Sequence, residues 1–117
     1  MKFKQVLCGV DFSPASVRAF ETAVELARSS KAELHIMHVI EAEPVVSEWF
    51  PVRGVGEATM ALEEKALTAM EALVAPSIRA FAGIPVTTEV TSGRAFVEIL
   101  QRARDRKVDL IVLGQKG

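Results

Sequence analysis

An open, doubly wound α/β sheet of parallel strands is the fold this sequence predicts, and three observations predict it. Short apolar runs alternate with longer segments of helical period along the whole chain. Strands separated by helices of this length must pair in parallel, through right-handed crossovers. The last apolar run, Val108-Asp109-Leu110-Ile111-Val112-Leu113, opens directly into Gly114-Gln115-Lys116-Gly117, and in such sheets ligands sit beyond the carboxyl ends of the strands.

Gln5-Val6-Leu7-Cys8-Gly9-Val10 is an apolar run bounded by charge and reads as the first strand. Asp11-Phe12-Ser13-Pro14 follows, with Ser13 a good N-cap and Pro14 at the first helical position. Val17, Phe20, Ala23, Val24 and Ala27 then recur at three- and four-residue spacing, while Arg18, Glu21, Glu25 and Arg28 take the opposite face of an amphipathic helix. Leu34 to Ile40 reads as the second strand and Ile84 to Thr91, introduced by Gly83 and Pro85, as the third. Between them Met60, Leu67, Met70, Val74, Ile78 and Phe81 form a helical stripe of about six turns, which Pro76 is expected to kink. Phe96, Ile99, Leu100 and Ala103 mark a last helix begun near Ser92-Gly93. Glu41 to Gly56 carries Pro44, Pro51, Gly54 and Gly56 with no regular period; long structureless loops in compact domains are often functional, and this one could cover a ligand.

Composition bounds the function. A chain of 117 residues, 50% apolar and 25% charged, predicts one domain with a real core. Its net charge of −1 gives no electrostatic case for nucleic acid or an anionic membrane. Lys2 and Lys4 precede only the short run Val6 to Val10, far below a signal peptide or a membrane span. Cys8, the single cysteine, has no partner for an intrachain disulfide and is expected to be a buried, inert thiol in a cytoplasmic protein.

Each candidate site residue has two readings. Asp11, at the end of the first strand, can hydrogen-bond a ribose or adenine edge, or serve the first turn of the following helix. Gly114 and Gly117 let backbone N–H groups converge on an anion, or simply punctuate a turn. Lys116 can reach a phosphate or stand in solvent. His35 and His38, three apart in a strand, point to opposite faces and form no metal clamp; both are expected to be structural. Arg102, Arg104, Arg106 and Lys107 are expected to be a solvated helix end matched to the dipole. Trp49 and Phe50 are expected to pack on the sheet rather than form a lid. No G-x-S-x-G, G-x-x-x-x-G-K-[ST] or G-x-G-x-x-G is present, which disfavours a Rossmann dehydrogenase or a P-loop NTPase. Asp11 is the one obvious carboxylate at the ligand edge that can hold Mg²⁺, so any hydrolysis is expected to be slow.

These residues resemble the universal stress protein family along the whole chain. Val6 to Ser13 looks like its first strand and turn, and His38-Val39-Ile40 like the end of its second strand. Gly83-Ile84-Pro85-Val86, Gly93 and Asp109 to Gly117 complete the likeness. The resemblance implies a Rossmann-like sheet of order 3-2-1-4-5, often dimeric, with ATP held across the carboxyl edge by G-x2-G-x9-G-[ST]. Gly114 and Gly117 match the first two glycines. By that likeness Val10 and Asp11 lie near adenine and ribose, Val39 packs on the base, and Leu113, Gly114, Gln115, Lys116 and Gly117 lead to the phosphates. Gly9 departs from the proline of many ATP-binding members, and Gln115-Lys116 from a small hydroxyl residue followed by histidine. The final G-[ST] pair, the last helix and the fifth strand fall outside the sequence. Residues 1–117 are therefore expected to be a single domain of sheet order 3-2-1-4, incomplete at the C-terminus. The implied function is an adenine-nucleotide binding module in stress response or regulation, taking ATP, with Mg²⁺, or AMP, and a homodimer when complete. The alternatives are a slow ATPase or adenylate-forming enzyme on the same sheet, and an interaction domain without nucleotide.

Overall fold

In the computed structural model the first apolar run becomes β1 (Gln5–Gly9), followed by α1 (Pro14–Ser30), β2 (Glu33–Ile40), α2 (Val55–Val74), a 3-10 helix (Ala75–Phe81), β3 (Val86–Ser92), α3 (Ala95–Asp105) and β4 (Leu110–Leu113). The structure describes residues 2–41 and 55–114, the side chains of 55–59 excepted. The strands pair in parallel in the order β3-β2-β1-β4, as expected. Register brings Gly9 opposite Met37 on one side and Leu113 on the other, so the carboxyl ends of β2, β1 and β4 form one edge.

Alternation along the strands divides the core in two. Val6, Cys8 and Val10 of β1 and its extension pack with Leu34 and Ile36 of β2 beneath α1, through Phe20, Ala23, Val24 and Ala27, and beneath Met70 of α2. Leu7, Met37 and Val39 face the other way, against Ile99 of α3. Each large side chain buried here contributes roughly 1.5–3 kcal/mol. Cys8 is wholly buried, and burial pushes its thiol up to about 12, consistent with an inert role.

α1 follows its expected pattern, capped by Ser13, whose Oγ accepts the Ser16 N–H at 3.3 Å. The later helices depart from theirs. α2 begins at Val55, so Gly56 is helical rather than part of the preceding loop. Pro76 ends α2 instead of kinking it: proline has no N–H to donate and disfavours α geometry in the residue before it, so the chain tightens into the 3-10 helix. Met60, Leu67 and Ile78 of the expected core stripe are exposed, and Ala66 and Met70 take the buried places. On α3 the packed row is Ala95, Ile99 and Ala103. Phe96 and Leu100, one position round the helix, are 69% and 54% exposed.

The basic cluster also differs from expectation. Arg104 and Lys107 are exposed. Arg102 instead donates from Nε to Glu89 Oε1 at 2.7 Å and from a terminal nitrogen to Glu89 Oε2, while Arg106 reaches Thr87 Oγ1 at 3.1 Å. These groups surround buried His35, whose Nδ1 lies 2.6 Å from Thr87 Oγ1 and whose Nε2 lies 2.8 Å from Glu89 Oε1. At the amino ends of β1 and β4 Asp109 accepts the N–H groups of Lys4, at 2.5 Å, and Gln5, at 2.9 Å, fixing β4 against β1.

Candidate functional site

β1 leads into α1 through a turn laced by its own polar groups. Asp11 Oδ1 accepts the Ser13 N–H at 2.9 Å, the Asp11 N–H donates to Ser16 Oγ at 3.2 Å, and that hydroxyl donates to the Ser13 carbonyl at 3.2 Å. The Ser13 hydroxyl beside it, more than any other influence, with the Ser13 N–H adding to it, holds the Asp11 carboxyl below the usual carboxylate range. Phe12 adopts φ 65°, a left-handed conformation that bulky residues rarely take, and its ring packs tilted against His38, the centroids 4.6 Å apart. His38 Nδ1 lies 2.7 Å from the Val10 carbonyl. A carbonyl only accepts, so Nδ1 carries the proton. His38 thus holds the turn from behind the sheet, and His35 lies on the other face, so the two form no common site.

In front of that turn, at the carboxyl edge, lies a cleft of about 330 Å³ lined by Gly9, Val10, Asp11, Met37, Val39, Glu41, Ala95, Phe96, Ile99, Leu113 and Gly114. Its floor is the buried row Met37, Val39 and Ile99; Asp11 and Glu41 supply charge, and Phe96 an exposed ring. Val10, Asp11, Val39, Leu113 and Gly114, all singled out in the sequence, meet here. Gln115, Lys116, Gly117, Trp49 and Phe50 lie outside the described residues.

Sequence reasoning missed the contribution of α3. Phe96 and Ile99 were signals of a helical core stripe, and only the topology shows that the N-terminal turn of α3 closes one side of the cleft. Glu41 was hidden at the start of an irregular stretch; its Oε1 accepts the Ala95 N–H at 2.6 Å. Gly9 also gains a reason. A methyl group there would lie 2.6 Å from Leu113 Cδ2 and 3.1 Å from Ile99 Cδ1, so the cleft's own side chains fill the space a larger residue would need.

Among the described residues no group of three or more His, Cys, Asp or Glu is placed to hold a metal ion, and no helix is long and apolar enough to cross a membrane. The model of the universal stress protein family matches residues 2–117. The chain belongs to that family. It is 33% identical to universal stress protein A homolog 1 of Coxiella burnetii, over 100% of this chain and 79% of the relative. Universal stress protein YxiE of Bacillus subtilis is 30% identical over 98% of this chain and 80% of its own. Among solved universal stress proteins, UspA from Lactobacillus plantarum superposes with a TM-score of 0.79 at 22% identity, covering 100% of this chain and 82% of that one. A family protein from Arabidopsis thaliana with AMP bound gives a TM-score of 0.67 at 19% identity, covering 97% and 78%. A universal stress protein in complex with cAMP gives 0.57 at 20% identity, covering 95% and 71%. These structural likenesses bear on the fold.

Proposed function

We propose that the cleft binds an adenine nucleotide, and that the protein acts as a nucleotide-responsive binding module. The observation that carries this reading is the composition of one cavity: an apolar floor of Met37, Val39 and Ile99 beside the Asp11 carboxylate, at the carboxyl edge of a parallel sheet. A base needs flat apolar surface; a ribose needs a hydrogen-bond acceptor. The cleft offers both, and its volume is of the size small-molecule sites take. The Asp11 carboxylate is exposed and lines the cleft, within reach of a sugar hydroxyl. The AMP and cAMP carried by two solved family members support the same ligand class.

In this reading ATP or AMP lies with its base on Val39 and its phosphates directed past Leu113 and Gly114 toward Gln115, Lys116 and Gly117. A homodimer, cytoplasmic residence and a part in stress response belong to the same proposal. Mass spectrometry of protein purified without added nucleotide, joined to calorimetric titration with AMP and ATP, tests it. Co-purified adenine nucleotide, or saturable heat with either ligand, supports the reading; neither signal from folded protein contradicts it.

A further inference from the structure

We propose that Glu41 makes the cleft selective for the uncharged nucleoside half of its ligand, by holding its own carboxylate where a phosphate would otherwise settle. This inference rests on the nucleotide reading above. The first backbone amides of a helix lack partners within the helix and attract anions. In this fold the N-terminus of α3 opens on the cleft, because Ala95, Phe96 and Ile99 all line it. One of those amides is already engaged from within the chain. Glu41, just beyond the last residue of β2, turns its side chain so that Oε1 accepts the N–H of Ala95, the first residue of α3, at 2.6 Å. Glu98 folds back over the same end: a methyl group on Gly93 would lie 2.8 Å from its Oε1.

Charge in the cleft reinforces the effect. The charged side chains lining it among the described residues are Asp11 and Glu41, both acidic, while Arg94 precedes α3 without lining the cleft. A phosphate drawn inside would face two carboxylates and find the Ala95 N–H engaged. Adenine and ribose carry no charge and meet no such opposition. The nucleoside therefore occupies the cleft, and a phosphate on it has to leave on the Gly114 side. Glu41 is thus a residue that sets ligand orientation and charge preference.

The test is a pair of calorimetric titrations, with adenosine and with AMP, into the full chain and into Glu41→Gln, which keeps an oxygen for the Ala95 N–H. Removing one unit charge from the cleft wall is expected to strengthen AMP binding about two- to fivefold, with adenosine changed less than that. Equal changes for the two ligands, or an unchanged AMP-to-adenosine ratio while both still bind, overturns the role of Glu41 alone. If neither ligand binds the natural chain, the nucleotide reading falls and this inference with it. A second measurement needs no variant: salt screens exposed charge, so the AMP-to-adenosine affinity ratio of the natural chain should rise between low and high ionic strength. A flat or falling ratio contradicts the proposal.

Discussion

Gly114, at the end of β4, lies directly against the backbone of Ala15 in the first turn of α1. A methyl group at position 114 would stand 2.4 Å from the Ala15 carbonyl oxygen and 2.6 Å from Ser16 Cα. These are backbone atoms that cannot swing aside, so β4 meets α1 at this distance only because residue 114 has no side chain. The glycine that opens the proposed phosphate turn is also a packing glycine. Gly114→Ala is therefore expected to lower stability by about 1–3 kcal/mol, the usual cost of forcing extra volume into a packed site. Urea unfolding that shows an unchanged midpoint would remove the steric account.

The polar cluster under α3 predicts a specific pH dependence. Burial, above all, pushes the His35 imidazole below its ordinary 6.5, against the opposing pull of its hydrogen bond with Glu89. The unfolded chain then takes up a proton near pH 6.5 while the folded one resists it. Stability from this group is complete above about pH 6.5 and is lost as pH falls from there through the folded-state value. The urea midpoint should drop between pH 7.5 and 5.5, and drop less in His35→Gln. Equal drops would assign the titration to another group.

Arg102 grips Glu89 through two nitrogens, and that pairing, more than anything else, holds the Glu89 carboxyl below its usual range. The two side chains are 25% and 22% exposed, so solvent still screens them. A double-mutant cycle with Arg102→Ala and Glu89→Ala is expected to return a coupling of about 1 kcal/mol. A coupling indistinguishable from zero would mean that the forked geometry contributes no stability.

Of the two readings weighed for Asp11, support of the turn into α1 is observed, its carboxylate accepting the Ser13 N–H, while the ligand role belongs to the proposed function, for which Asp11 lines the cleft. Two variants separate them. Asp11→Ala is expected to weaken adenosine binding by about ten- to a hundredfold, the worth of a charge-assisted hydrogen bond. Asp11→Asn keeps an acceptor for the Ser13 N–H, so it should preserve thermal stability while still weakening adenosine binding about tenfold. Undiminished binding by folded Asp11→Asn would leave Asp11 with the turn alone.

The sheet was legible because its strands are short, apolar and bounded: Val6 to Val10 and Leu34 to Ile40 have no other place than the centre of a parallel sheet. Ser13-Pro14 announced α1 for local reasons, a cap and a fixed φ. Packing against distant elements was less legible. Phe96 and Leu100 are as apolar as Ile99, yet the angle at which α3 meets the sheet buries Ile99 and exposes the other two. Arg102 reads as a helix-end cation until β3 places Glu89 within its reach. The site showed the same division: Asp11, Val39 and Gly114 sit at strand ends and could be found from the sequence, whereas Glu41 and Ala95 meet only because β2 and α3 are neighbours in space.

In the proposed function an adenine nucleotide occupies the cleft at the carboxyl edge. An amide-resolved NMR titration of the natural chain with AMP tests it most directly, since it reports where the ligand sits as well as whether it binds. The largest shifts are expected at Gly9, Val10, Asp11, Val39 and Gly114, which line the cleft on three neighbouring strands. Shifts centred on the groove between α1 and α2, at Val17, Ala69 and Ala72, or no shifts at millimolar AMP, would contradict the account.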